Sequence, residues 1–439
     1  MLTIKKYIKY LEYLLIILIT SYLYLSNIEL IKFHPDESQW ITTSIYFDAL
    51  IDGNTQSEIW EPGYWTLTQP PVTRYIIGFA RKLSGFGTDQ INNPWNFSLD
   101  RQTNIAQGAL PKPELLKTAR TPMTVMAVLS IFLLFYIARK YFGVLSAYIL
   151  FILLISNNYL AIHLTRALSE SALLFFIIVV TILIYIASRI LISENNPIRE
   201  NKTRLIFLLI IMTSIGVIIG ITGGIKLNGF ALLGVGTVLF TIILFFSAYL
   251  TNVVIKIKIL ILAFIVMVLT ITSFSTFISY NPFLYNNTID RTVAIFKWRI
   301  HESTNQRKNN NKADLTEKGI VQRTKIVTSN IFNKYSTLTF KSAIIFNIGL
   351  FLVGVVLSLK KSVYFIKGNK KYLPYLILIL TSIIVSGPLL LTPLNWDRYF
   401  YLPVIFSTIF ISVGISLILK FIYIKYVLQQ FTTHPHAHS

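Results

Sequence analysis

The chain has 439 residues, of which 54% are hydrophobic and only 13% charged. A soluble chain carries about 25% charged residues, so a water-soluble globular protein is excluded. The net charge is +21 and Cys is absent, which leaves no disulfide framework and no thiolate metal site. In a membrane protein such a basic excess reads as positive-inside bias and not as nucleic-acid binding.

The apolar runs have the length of membrane helices, about 20 residues, and lack the alternation of barrel strands. They predict an all-α polytopic membrane protein with about ten spans: 11–31, 119–138, 141–158, 168–190, 205–222, 227–248, 259–279, 342–359, 373–391 and 402–420. Lys5, Lys6 and Lys9 precede the first span, and no small-residue cleavage site follows it, as in an uncleaved signal anchor. These lysines place the N-terminus in the cytoplasm. Alternation then puts Arg139 and Lys140, Arg189 to Arg204, Lys256 and Lys258, Lys360 to Lys371, and Lys420 and Lys425 on the same side. Of the 19 acidic residues only Glu12, Glu194 and Glu200 fall there. The Asn201-Lys202-Thr203 sequon is also cytoplasmic and goes unused. The other face carries two large loops, 32–118 and 280–341, and most of the residues capable of chemistry. The chain therefore divides into 1–279, the loop 280–341, and C-terminal spans with a short cytoplasmic tail over 342–439.

The first span runs directly into His34-Pro35-Asp36-Glu37-Ser38-Gln39-Trp40. Pro35 suits the first position of a helix, which puts Asp36 and Glu37 in its first turn. Two acids there either complement the helix dipole or serve a wet cavity, because carboxylates are costly to desolvate at a membrane. Residues 36–51 and 71–84 have apolar positions at helical spacing and stop signals at Gly53 and Gly85. Both are too short to span and predict amphipathic helices lying in the membrane interface. Arg74, Arg81 and Lys82 lie on the second.

Further along, Arg166 and Glu170 are four residues apart and suit an ion pair on one helix face. Lys226 sits in a Gly-rich turn, Gly220 to Gly229, on the side where positive-inside bias disfavours it. It either snorkels to the interface or binds something. The loop after the seventh span begins Asn281-Pro282, contains Asp290-Arg291, and is rich in Lys, Arg and Asn from 297 to 325. It reads as a mobile, partly helical segment that either steers an anionic partner or is simply solvated, as befits the polar run 305–312. Before the last span, Asp397 and Arg398 lie beside Trp396 and Tyr399. An aromatic belt accounts for the rings but not for the charges. His434, His436 and His438 in the tail have at most weak metal affinity on the cytoplasmic side.

These stretches together resemble the polytopic glycosyltransferases of the GT-C fold, especially the protein O-mannosyltransferase and lipid A aminoarabinose transferase branch. The resemblance rests on Asp36-Glu37, Gln69-Pro70-Pro71-Val72, Arg166 with Glu170, Lys226, Asn281-Pro282, and Arg398-Tyr399 before Leu402-Pro403. Gln69 stands where relatives often have His, and Gln39 where the aminoarabinose branch has Arg. The branch and the acceptor are thereby left open.

The resemblance implies a sugar donor on a polyprenyl phosphate and a hydroxyl acceptor on a protein, lipid or glycan. It also implies an active site on the extracytoplasmic side of a membrane, the inner membrane of a bacterial cell. The departing lipid phosphate needs positive charge, for which Lys226, Arg398, Arg166 and Arg74 are the candidates. The acceptor hydroxyl needs a general base, for which Asp36 is the candidate, with inversion at the anomeric carbon. Glu37 orients Asp36, the acceptor or a cation; His34, Glu170, Asp397 and Tyr399 support. Without an acidic triplet no obligatory metal is expected, although some relatives use a divalent cation. A transporter or lipid-linked glycan flippase is the alternative. Such proteins place polar groups near mid-membrane and repeat their architecture, whereas the charges here gather at one face.

Overall fold

The computed structural model describes residues 2–192, 202–251, 253–309, 315, 319–340, 342–387 and 394–433. The His434, His436 and His438 tail, the sequon residue Asn201, Glu194, Arg199 and Glu200, and the end of the polar run 305–312 lie outside the described residues.

Among the described residues eight helices are long and apolar enough to cross a membrane, so the chain is a multi-pass membrane protein. They are α1 (Leu2–Leu25), α7 (Pro113–Tyr141), α10 (Glu170–Leu191), α11 (Lys202–Ile225), the Leu227–Phe246 segment containing α12 (Ala231–Thr241), α13 (Ile255–Ser279), α16 (Ala343–Ile366) and α18 (Tyr401–Thr433). Among the described residues a bent pair, α8 (Val144–Ile155) and α9 (Asn158–Thr165), which meet at 70°, makes a ninth crossing if the two count as one span. The predicted span 373–391 contains α17 (Leu373–Ser386), 14 residues long, and part of the remainder lies outside the described residues.

Helix α7 shows how the bundle closes. Leu115, Ala119, Met123, Ala127, Ile131, Leu134 and Ala138 recur every three or four residues and are all buried. That stripe meets α1, α8 and α10. Lipid tails are as apolar as leucine, so such interfaces depend on close packing, and the alanines let the backbones approach. Helix α11 does the same against α13 with glycine. A Cβ on Gly216 would run into Thr272, one on Gly220 into the Ser273 carbonyl, and one on Gly224 into Tyr280.

The loop 32–118 folds into short helices: α2 (Pro35–Thr42), α3 (Ile45–Ile51), α4 (Tyr64–Thr68), α5 (Val72–Leu83) and α6 (Arg101–Ala106). The single helix expected over 36–51 is broken at Thr43, whose hydroxyl bonds back to the Gln39 carbonyl at 2.8 Å. Helix α5 keeps an exposed apolar edge at Phe79 and Leu83. Helix α2 is instead covered, with Glu37 through Ile41 buried. Ser38, Gln39 and Thr42 bond the segment 92–95, which lies over the helix. Trp60 and Trp95 are core residues. Arg81 clasps α5 to α3 through Asp48 and the Ser44 hydroxyl. The second loop forms α14 (Thr288–Asn309) and α15 (Ile320–Ser329).

Candidate active site

Helix α2 starts with its cap fully made. The His34 Nδ1 accepts from the Asp36 N–H at 3.2 Å, and the Glu37 Oε2 accepts from the His34 N–H at 3.0 Å. This reciprocal arrangement satisfies two donors that a helix start leaves open. The two acids then part company. Asp36 points into a cavity and pairs with Arg398. Glu37 points inward and is fully buried.

The Glu37 carboxylate is held on every side. Arg120 of α7 grips both oxygens, Nε to Oε1 at 2.7 Å and Nη2 to Oε2 at 2.8 Å. With the His34 N–H, the Ala167 N–H makes a fourth donor, to Oε1 at 2.9 Å. Arg120 also donates to the Ile28 and Ile31 carbonyls, so one guanidinium ties the end of the first span, α2 and α7 together. Glu37 therefore has no free face toward a substrate. Arg120 was not singled out from the sequence, although an arginine at the start of an apolar run signals such a role.

The cavity has a volume of about 820 Å³. His34, Asp36, Glu170, Lys226, Asp397, Arg398 and Tyr399 all line it, joined by Trp40, Tyr64, Gln69, Trp396 and, from α14, Arg299, Glu302 and Gln306. Residues from all three sequence segments thus share one chamber at the ends of the spans. A smaller cavity of about 260 Å³ adjoins it, sharing Lys226, Arg299 and Arg398 but walled by Val385, Leu394 and Leu402.

Several charges in the chamber are paired. Lys226, in extended backbone just past α11, reaches Glu170 Oε1 at 3.5 Å and lies 5.6 Å from the Tyr399 ring centre. Burial pushes its ammonium down, opposed by Glu170. Burial works in the same sense on Arg398, but the Asp36 carboxylate wins and the guanidinium is held above its ordinary value. Its plane is near Trp396 and Tyr399, 5.2 and 5.7 Å from the ring centres. Asp397 is held well below the usual carboxylate range, chiefly by a hydrogen bond from His163, whose Nε2 is 3.5 Å away.

Two expectations need correction. Arg166 and Glu170 do not share a helix face: α9 ends at Thr165, Arg166 is extended, and α10 begins at Glu170. The bend releases Glu170 to Lys226, while Arg166 lies in the field of Glu37, Asp397 and Asp36, its guanidinium pushed down by burial. Arg74 does not line either cavity. It is buried, donates to the Trp65 and Gln69 carbonyls, and stacks 4.5 Å from the Tyr46 ring centre. Burial pushes it down to about 10. Its work is to hold the Trp65–Gln69 turn.

Among the described residues no three His, Asp or Glu side chains gather in a metal-binding group. Asp36 and Glu37 diverge, so the motif offers a cation only one accessible carboxylate, and Arg398 sits on it.

No family model and no curated protein matches the chain. Solved structures do. The archaeal oligosaccharyltransferase AglB from Archaeoglobus fulgidus, in complex with an inhibitory peptide and a dolichol-phosphate, aligns with a TM-score of 0.53 at 13% identity, over 99% of this chain and 53% of that one. The Archaeoglobus fulgidus oligosaccharyltransferase tethered to an acceptor peptide aligns with a TM-score of 0.52 at 14% identity, over 97% and 52%. ArnT from Cupriavidus metallidurans, bound to undecaprenyl phosphate, aligns with a TM-score of 0.50 at 14% identity, over 92% and 59%. This chain spans about half the length of the oligosaccharyltransferase. Its fold is the one these membrane proteins share, the GT-C fold expected from the sequence.

Proposed function

We propose that this chain is a membrane glycosyltransferase that moves a sugar from a polyprenyl-phosphate carrier to a hydroxyl acceptor. The observation that carries the reading is that Asp36, Lys226 and Arg398 line one cavity at the span ends of a GT-C fold. The basic segments on the opposite side support an extracytoplasmic site and cytoplasmic termini; residence in a bacterial inner membrane rests on the resemblance alone. Neighbours of the same fold are complexes with dolichol-phosphate and undecaprenyl phosphate, which supports a lipid-phosphate donor here. Protein, lipid and glycan acceptors all fit a chamber of this size.

Arg398 and Lys226 each hold a carboxylate that a phosphate can replace. When the donor enters, its phosphate takes Arg398 from Asp36 and Lys226 from Glu170. Arg299 completes the cationic rim. The guanidinium fork and the ammonium then stabilise the charge that develops on the departing phosphate. Asp36, freed of Arg398, accepts the proton of the acceptor hydroxyl as its oxygen attacks the anomeric carbon from the side opposite the phosphate. The C–O bond to phosphate breaks, the new glycosidic bond forms, and the configuration inverts. Glu37, locked on Arg120, keeps the α2 turn in register for that transfer. The apolar wall of the smaller cavity suits the first isoprene units of the carrier. Arg398, Lys226 and Arg299 supply positive charge for the departing phosphate, and the reading includes no obligatory divalent cation.

The test is transfer by the purified full chain in lipid vesicles supplied with a radiolabelled polyprenyl-phosphate sugar and a panel of hydroxyl acceptors. Label should move to an acceptor, equally with and without a chelator. Movement of intact donor across the bilayer without transfer would overturn the reading in favour of a flippase.

A further inference from the structure

Helix α14 has an apolar stripe that the site does not use. Ile289, Val293, Phe296 and Ile300 are all exposed, at 79, 43, 48 and 71%. With 3.6 residues per turn these four positions fall within about 60° of one another. They face away from the buried Ile295 and from the cavity residues Glu302 and Gln306. Exposed Lys297 and Lys308 follow on one flank of the stripe, and Arg299, at the cavity, on the other. An apolar stripe with lysines beside it is the pattern of a helix lying in a lipid headgroup layer.

The placement of α14 fits that layer. Its N-terminal end packs on Pro282–Leu284, just past the end of α13. Its C-terminal half lines the smaller cavity with Lys226, one residue past α11, with Val385 near the end of α17, and with Leu402 in the first turn of α18. Both ends are therefore held where membrane helices stop. A helix of 22 residues reaches about 33 Å, enough to lie across the mouth of the bundle.

We propose that α14 docks on the bilayer surface, with Ile289, Val293, Phe296 and Ile300 at the acyl boundary and the lysines on anionic headgroups. The stripe then borders the lipid from which a membrane-borne substrate enters beside Arg299. This surface stands whether or not the transfer reading does.

The chain has no Cys, so a single fluorophore can be placed cleanly. Phe296→Cys and Ile300→Cys, each labelled with NBD in the full chain, are reconstituted in phosphatidylcholine and phosphatidylglycerol vesicles. Ile345→Cys on the outward face of α16, where Ile345 is exposed, gives a lipid-facing reference. Lipids with a nitroxide near the headgroup should remove most of the fluorescence at 296 and 300, as at 345, and aqueous iodide should leave it unchanged. Quenching by iodide alone would place the stripe in water and overturn the proposal. Protection from both quenchers would overturn it in favour of a protein partner or a second copy.

Discussion

Arg120 and Glu37, 83 residues apart in the chain, form a two-pronged ion pair buried at the root of the α2 turn that carries Asp36. The pair is satisfied beyond its own two contacts: Glu37 accepts from two backbone N–H groups and Arg120 donates to two carbonyls. Removing one partner leaves an unpaired buried charge, which typically costs about 3–5 kcal/mol. Arg120→Ala should therefore lower the thermal unfolding temperature in detergent and abolish transfer. Exchanging the two residues should not rescue either property, because the His34 and Ala167 N–H groups need an acceptor where Glu37 lies. Recovery in the swapped protein would show that the pair acts only through its mutual charge.

Asp36→Asn keeps the size of the side chain and removes the base. General-base catalysis is worth about 10²–10⁴-fold. Transfer should fall by that factor while the unfolding temperature stays close to that of the wild type. A rate within a few-fold of normal would remove Asp36 from the proton-transfer step.

Arg398→Lys preserves charge but not the planar fork that two phosphate oxygens need. A hydrogen bond to a charged group is worth about 1.5–3 kcal/mol, roughly 10- to 150-fold in affinity. The KM for the donor should rise by that order with the acceptor KM little changed. Lys226→Ala should act in the same direction. An effect confined to the acceptor in either variant contradicts the phosphate assignment.

His34 supplies a pH dependence whose sign follows from its cap. Its Nδ1 must be unprotonated to accept from the Asp36 N–H. Burial, the largest influence, holds its pKa below the ordinary value, with Arg166 and Arg398 acting in the same sense against Asp36 and Glu37. A depressed pKa means the folded protein resists protonation. The contribution is present above the unfolded value of about 6.5 and is lost as pH falls through the folded one. Transfer should decline on that acid limb, and His34→Asn, which caps without titrating, should flatten it. An unchanged acid limb in the variant would assign it elsewhere.

Much of the site was visible in the chain because isolated charges beside apolar spans have few innocent explanations. Lys226, Asp36, Arg398 and Asp397 stood out on that ground, and all four line the chamber. Arg74 stood out equally and turned inward, because nothing in a sequence says whether an arginine will find carbonyls to hold. Arg120 was hidden at the margin of an apolar run. Arg299 was one basic residue among many in a polar loop, and only the course of α14 across the bundle brings it to the rim.

Length, apolar runs and charge asymmetry by themselves determined a multi-pass helical membrane protein and pointed to candidate site residues gathered at one face. The physical reason is local: a span must be apolar throughout, and its flanking charges report the side. Tertiary structure alone decided that Asp36 faces the cavity while Glu37 faces Arg120. It also decided that Glu170 pairs with Lys226 instead of Arg166. Those choices depend on which distant helix delivers a counter-charge, and on a bend at Arg166 that no spacing rule foretells.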